Sequence, residues 1–85
     1  MNSHELLDRR EALGLTLLDL ARKAECPAEI VLHAEFGVDM PRDLGLRDRL
    51  AGAYRLTRLH YDRMTVQAAR GFRERTRTLA NSYER

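Results

Sequence analysis

The side chains of this 85-residue chain that could do chemistry are few: one cysteine, Cys26, and three histidines, His4, His33 and His60. Protein metal sites bring such ligands together through short spacings such as Cys-x-x-Cys or His-x-x-x-His, and neither occurs here. Cys26 with a histidine base would need a third residue to orient the base and a group to hold an oxyanion, and no such feature is recognisable. A glycine-rich phosphate loop is also missing. Solvated histidines and a half-buried thiol are the simpler reading. The expectation is a protein that is not an enzyme, with no metal and no cofactor.

The other chemistry is charge. The net charge of +2 hides an uneven distribution: residues 1–57 hold eight Lys/Arg against ten Asp/Glu, and residues 58–85 hold seven against three. Arg70, Arg73, Arg75 and Arg77 form the densest basic run, interrupted by Glu74. Such a run suits contact with phosphates, and equally suits a solvated helix face beside an apolar seam. A single cysteine closes no intrachain disulfide. No window approaches the ~18 apolar residues of a membrane span, and the first residues carry no basic, then apolar, leader. A cytoplasmic chain with no membrane partner is expected.

These side chains need helices to hold them. Two prolines and five glycines punctuate segments whose apolar residues recur at helical spacing, with no alternating strand pattern. A first helix is expected from about Ser3 to Leu13, with a capping box between Asn2 and Glu5, an apolar side from Leu6 and Leu13 with either Ala12 or Leu7, and Gly14 as its end. A second follows Thr16, whose hydroxyl caps the amide of Asp19, with Leu17, Leu20, Ala21 and Ala24 on one face. After the turn at Glu25-Cys26, Pro27 opens a third helix that runs to Phe36 with Val31 and Ala34 inward and Gly37 closing it. Asp43 caps a fourth from Leu44 to about Tyr54, burying Leu46, Leu50, Ala51 and Ala53.

Thr57 then caps a long amphipathic helix of about 25 residues, ~37 Å at 1.5 Å per residue, in which Tyr61, Met64, Ala68, Phe72, Leu79 and Tyr83 recur at steps of three, four or seven. A helix of that length overhangs so small a bundle. Tyr61, Met64, Ala68, Phe72, Leu79 and Tyr83 are therefore expected at a dimer or partner interface, with the early members shared with the core. Two parts of one structural unit are expected: 1–57 and the helix of 58–85. An 85-residue core supplies roughly 3–5 kcal/mol, so help from an oligomer fits.

One combination of residues is distinctive: Leu6, Arg10-Glu11-Ala12-Leu13-Gly14-Leu15-Thr16, Leu20-Ala21-Arg22-Lys23-Ala24, Val31, Glu35, Gly37, Pro41, and Leu46, Leu50-Ala51, Ala53-Tyr54. Over roughly residues 4–60 the chain resembles the Cro-like helix-turn-helix domains of the phage-repressor, or xenobiotic-response-element, family. The resemblance implies an all-α, five-helix bundle whose second and third helices bind double-stranded DNA, usually in a homodimer, here with a long C-terminal helix. It also implies a structural ion pair between Arg10 and Glu35. The DNA contacts it implies fall on Thr16 and Leu17 at the start of the second helix, Ala28, Glu29, Ile30, Leu32 and His33 on the third, and Arg42. Arg70, Arg73 and Arg77 would add phosphate contacts.

Residue by residue, the third helix departs from that pattern. Base edges are read by bidentate Arg, Lys, Asn or Gln, each good pair giving ~1–3 kcal/mol of discrimination. Here Ala28 and Ile30 can meet a thymine methyl, Glu29 can accept from cytosine, and His33 can reach a phosphate. Leu17, Ala28, Ile30 and Leu32 together would also make an exposed apolar patch, the mark of a protein partner. Two functions therefore fit these residues: a small homodimeric DNA-binding transcriptional regulator, or a protein-interaction module (antitoxin, anti-repressor or regulator of a transcription complex) on the same scaffold.

Overall fold

Four of the five helices end in the same way, and those ends set the geometry of the chain. In the computed structural model, which describes residues 4–83, α1 spans Glu5–Ala12, α2 Leu17–Ala24, α3 Ala28–Phe36, α4 Leu44–Ala53 and α5 Arg58–Tyr83. Gly14, Glu25, Gly37 and Arg55 each take a left-handed conformation just past a helix, with φ of 72°, 55°, 73° and 57°. The amide after each reaches back to the carbonyl five residues before it: Leu15 to Arg10, Cys26 to Ala21, Val38 to His33 and Leu56 to Ala51, at 3.2, 3.0, 2.9 and 2.9 Å. This is the Schellman arrangement, which satisfies carbonyls a helix end would otherwise leave open. Two of the four positions are not glycine, and each L side chain there costs about 1–2 kcal/mol.

The beginnings are equally specific. Thr16 Oγ1 accepts from the Asp19 amide at 3.1 Å while Asp19 Oδ2 accepts from the Thr16 amide at 3.0 Å, a closed capping box. The two hydrogen bonds from Thr16 hold the Asp19 carboxyl below its usual pKa. Asp43 Oδ2 accepts from the Leu46 amide at 2.8 Å, and Thr57 Oγ1 from the His60 amide at 3.1 Å. Pro27 stands just before α3, one place earlier than a first-turn proline. α1 is shorter than expected: His4 occupies its N-cap position without a capping hydrogen bond from its side chain, and Leu13 its C-cap. The Asn2–Glu5 capping box falls outside the described residues.

No strand occurs among the described residues, so the fold is all-α. Leu6, Leu20, Ala21, Ala24, Val31, Leu50, Ala51, Ala53, Tyr54 and Tyr61 form one buried cluster drawn from every helix. α5 runs along this bundle and gives the molecule its long axis of 45 Å, against 26 and 22 Å across. Arg47 on α4 pairs with Asp62 on α5 at 2.6 Å, holding the last helix at a fixed register. Gly37 matters most here. A Cβ at its position would run into the Ala68 carbonyl group, so the C-terminal end of α3 touches the backbone of α5 directly.

Candidate nucleic-acid interface

The brace beneath α3 decides which face the helix can offer. Glu35 is 0% exposed. Arg10 grips it in two places, Nε to Oε2 at 2.8 Å and Nη2 to Oε1 at 3.0 Å, and the Tyr54 hydroxyl donates to Oε2 at 2.7 Å. Arg10 Nη1 also donates to the Leu15 carbonyl at 3.1 Å, so one guanidinium ties α1, α3 and the loop before α2. The hydrogen bond to Glu35 raises the Arg10 pKa, and burial followed by the Glu35 contact pushes the Tyr54 phenol up. Removing one partner of so buried a pair costs about 3–5 kcal/mol. Tyr54 is the member that residue patterns did not supply as a partner. A buried carboxylate has more lone pairs than one bidentate arginine fills, which is the signal that a further donor must be near.

Several arginines of the bundle are engaged in the same way. Arg9 donates through Nε to the Tyr54 carbonyl at 3.0 Å and through Nη2 to the Arg55 carbonyl at 3.1 Å, closing the end of α4. Arg49 Nε donates to the Ala24 carbonyl at 2.9 Å, at the end of α2. Arg58 reaches Asp48 at 3.7 Å, an exposed pair of little energetic weight. The exposed cations without such a bond among the described residues include Arg22 and Lys23 on α2, Arg42, and Arg70, Arg73 and Arg77 on α5.

With Val31, Ala34 and Glu35 turned inward, α3 shows Glu29, Leu32, His33 and Phe36 on its other side. Leu32 is 40% exposed and Phe36 38%, the latter resting edge-on against the His4 ring at 5.4 Å. The expected apolar patch of Leu17, Ala28, Ile30 and Leu32 is corrected here: the first three are half-buried and pack against the core. The reason is helical spacing. Ala28 lies three residues before Val31 and Ile30 four before Ala34, so both flank the inward stripe, and Leu17 stands three and four before Leu20 and Ala21. On α2 the exposed leucine is Leu18. Thr16 is exposed, with its hydroxyl engaged in the cap.

The long helix requires a second correction. Tyr61 is 1% exposed, and Ala68, also buried, lies where Gly37 meets the helix, so neither is available to a partner. Met64 and Phe72 are half-buried and Leu79 is 59% exposed. Tyr83 ends α5, and its side chain lies outside the described residues.

Residues far apart in sequence meet in a cleft of about 580 Å³ between the loop after α3 and α5. Val38, Met40, Val66 and Phe72 supply apolar walls, and Asp39, Arg42, Arg73 and the Arg47–Asp62 pair supply the charges. Neither Arg42 nor Arg73 makes an ion pair among the described residues. Cys26, at the α2–α3 turn, is half-buried, and burial pushes its thiol up, away from the thiolate a nucleophile needs. No three His, Cys, Asp or Glu side chains gather into a metal-holding group among the described residues. None of the described helices is long and apolar enough to cross a membrane.

Set against known proteins, the chain matches no family model, no curated relative and no solved structure.

Proposed function

We propose that the chain is a small helix-turn-helix regulator that binds duplex DNA, with α3 facing the major groove and arginines beside it holding the phosphate backbone. The observation that carries this reading is that Arg42 and Arg73, 31 positions apart in sequence and neither in an ion pair among the described residues, line one cleft at the C-terminal end of α3, where three arginines (Arg47 is the third) outnumber two carboxylates, Asp39 and Asp62. Two further features support it. A left-handed turn at Glu25 joins α2 to α3, and the Arg10–Glu35–Tyr54 brace keeps one face of α3 outward. Phosphate contacts supply most of the affinity of such a protein, and base contacts only the choice of sequence.

The test is binding to random duplex DNA as salt is raised. Affinity should fall steeply, and Arg42→Ala with Arg73→Ala should lower the slope of log K against log salt by about 2, roughly 0.9 for each phosphate no longer neutralised. No detectable binding at about 50 mM salt, where screening is weak, overturns the proposal.

A second reading, a protein-binding module on the same scaffold, is favoured by one specific observation. No lysine or arginine occurs between Lys23 and Arg42, and the outward face of α3 is made of Glu29, Leu32, His33 and Phe36. That surface is apolar and acidic, which repels phosphate and suits a basic, apolar protein surface.

A further inference from the structure

Val38, Met40 and Val66 are large apolar side chains left exposed, and all three line the cleft between segment 37–42 and α5, together with half-buried Phe72. The α5 wall of this cleft is one face of the helix. Asp62, Val66, Ala69 and Arg73 belong to the lining, and at about 100° per residue they fall within about 60° of one another. Arg73 therefore faces the same space as Val66, on the line that begins at the Arg47–Asp62 pair. The facing wall is the loop from Gly37 to Arg42. Contact of Gly37 with the Ala68 backbone and the Arg47–Asp62 pair hold the two walls together, so the cleft is preformed.

We infer that this cleft is a binding site for a small amphipathic monoanion, a carboxylate on an aliphatic body of medium length. Charge selects the head group. The lining holds Arg42, Arg47 and Arg73 against Asp39 and Asp62, an excess of one positive charge, and Arg42 and Arg73 are in no ion pair among the described residues. That excess suits one carboxylate, whose two oxygens match the fork of a guanidinium. Thr65, buried in the lining, already donates its hydroxyl to the Asp62 carbonyl at 2.8 Å.

The walls and the volume select the body. About 580 Å³ falls inside the ~300–1,000 Å³ range of small-molecule pockets, and Val38, Met40, Val66 and Phe72 offer an aliphatic chain an apolar surface to cover. A nucleic-acid backbone would use the arginines and leave these four side chains uncovered. An amphipathic carboxylate uses both. The site itself does not depend on DNA binding, but one consequence rests on the DNA reading: Arg42 and Arg73 are the cations assigned there to phosphate, so the ligand and duplex DNA would compete for them.

The probe is decanoate, titrated into the isotope-labelled full chain without DNA and followed by amide shifts in NMR. Binding should saturate below millimolar concentration, with the largest shifts in segments 37–42 and 62–73. Decanamide, equal in length but uncharged, and Arg42→Ala with Arg73→Ala should each weaken it by about tenfold, as for a lost charge-assisted hydrogen bond. Butyrate, with the same charge on a shorter body, should not saturate in that range. Val66→Asp should abolish binding, whereas Arg22→Ala with Lys23→Ala, cations outside the cleft, should leave it unchanged. All five positions are exposed, and helical circular dichroism checks that each variant is folded. Decanoate that does not saturate, shifts spread evenly over the chain, decanamide binding as tightly as decanoate, or equal loss from the Arg22/Lys23 variant overturns the proposal. Because DNA is absent from this titration, its failure and that of the DNA reading are told apart.

Discussion

The two halves of α5 carry the same kind of pattern and come to different ends. In the first half Tyr61, Thr65 and Ala68 are buried, Met64 is half-buried, and Asp62 is tied to Arg47 on α4. In the second, every residue from Arg73 to Leu79 is exposed, although Leu79 follows Phe72 at the heptad step that would keep it in a core. The difference lies in the neighbours: α1, α3 and α4 pack on α5, and burial along it stops after Phe72. An apolar stripe thus records where a helix can be buried, and the rest of the chain decides whether it is. If the chain self-associates through the exposed half, folding stability and association are separated along this one helix.

The largest effect that tests this division is at Tyr61. Tyr61→Ala should cost about 3–5 kcal/mol, as expected for truncating a buried aromatic, and lower the denaturation midpoint without changing what the unfolded chain exposes. Its ring packs 6.0 Å from that of Tyr54, and its hydroxyl has no hydrogen-bond partner among the described residues. Tyr61→Phe should therefore be close to neutral in urea unfolding, because the hydroxyl takes no hydrogen bond with it. A Phe variant as unstable as the Ala variant would show that the hydroxyl, and not the ring, secures this half of α5.

The covered half meets α3 at a glycine, and that junction gives the second effect. Gly37 and Gly14 share nearly the same φ, but a Cβ at Gly14 meets nothing within 4 Å, whereas one at Gly37 would run into the α5 backbone at Ala68. Gly14→Ala should cost about 1–2 kcal/mol, the penalty of the left-handed conformation alone. Gly37→Ala adds a backbone clash that no side-chain rotation relieves, so its thermal midpoint should fall well below that of Gly14→Ala. Equal destabilisation at the two glycines would mean that α5 shifts away from α3 without penalty.

Much of the inner architecture can be read from the residues because it follows local rules. Thr16 with Asp19, Asp43, Gly14 and Gly37 announce helix ends through side-chain chemistry or a missing Cβ, and Leu20, Ala21, Ala24, Val31 and Ala34 fall on inward faces by spacing alone. Arg10 and Glu35 are paired in the structure, as the resemblance implied. Other features depend on tertiary contact. Glu25 and Arg55 adopt left-handed conformations that their types do not signal, and Tyr54 completes a carboxylate site 19 positions away. The site suffered most. Leu17, Ala28 and Ile30 lie at the borders of inward stripes, where a rotation of some tens of degrees decides between core and surface. The cleft joining Arg42 to Arg73 spans two elements whose relative placement no local pattern contains.

The smallest effect belongs to the exposed half of α5, and it is the sharpest test of the division. Leu79 buries little within its own chain, so Leu79→Asp should leave urea unfolding within about 0.5 kcal/mol of the parent when measured at a concentration where the chain is monomeric. At concentrations where the parent self-associates, a complex that binds only folded chains adds to apparent stability by mass action, and the variant should lose that increment. The gap between parent and variant midpoints should therefore widen as protein concentration rises. A gap that is large at the lowest concentration and constant thereafter would mean that Leu79 is packed within its own molecule, and the separation of folding from association along α5 would then fail.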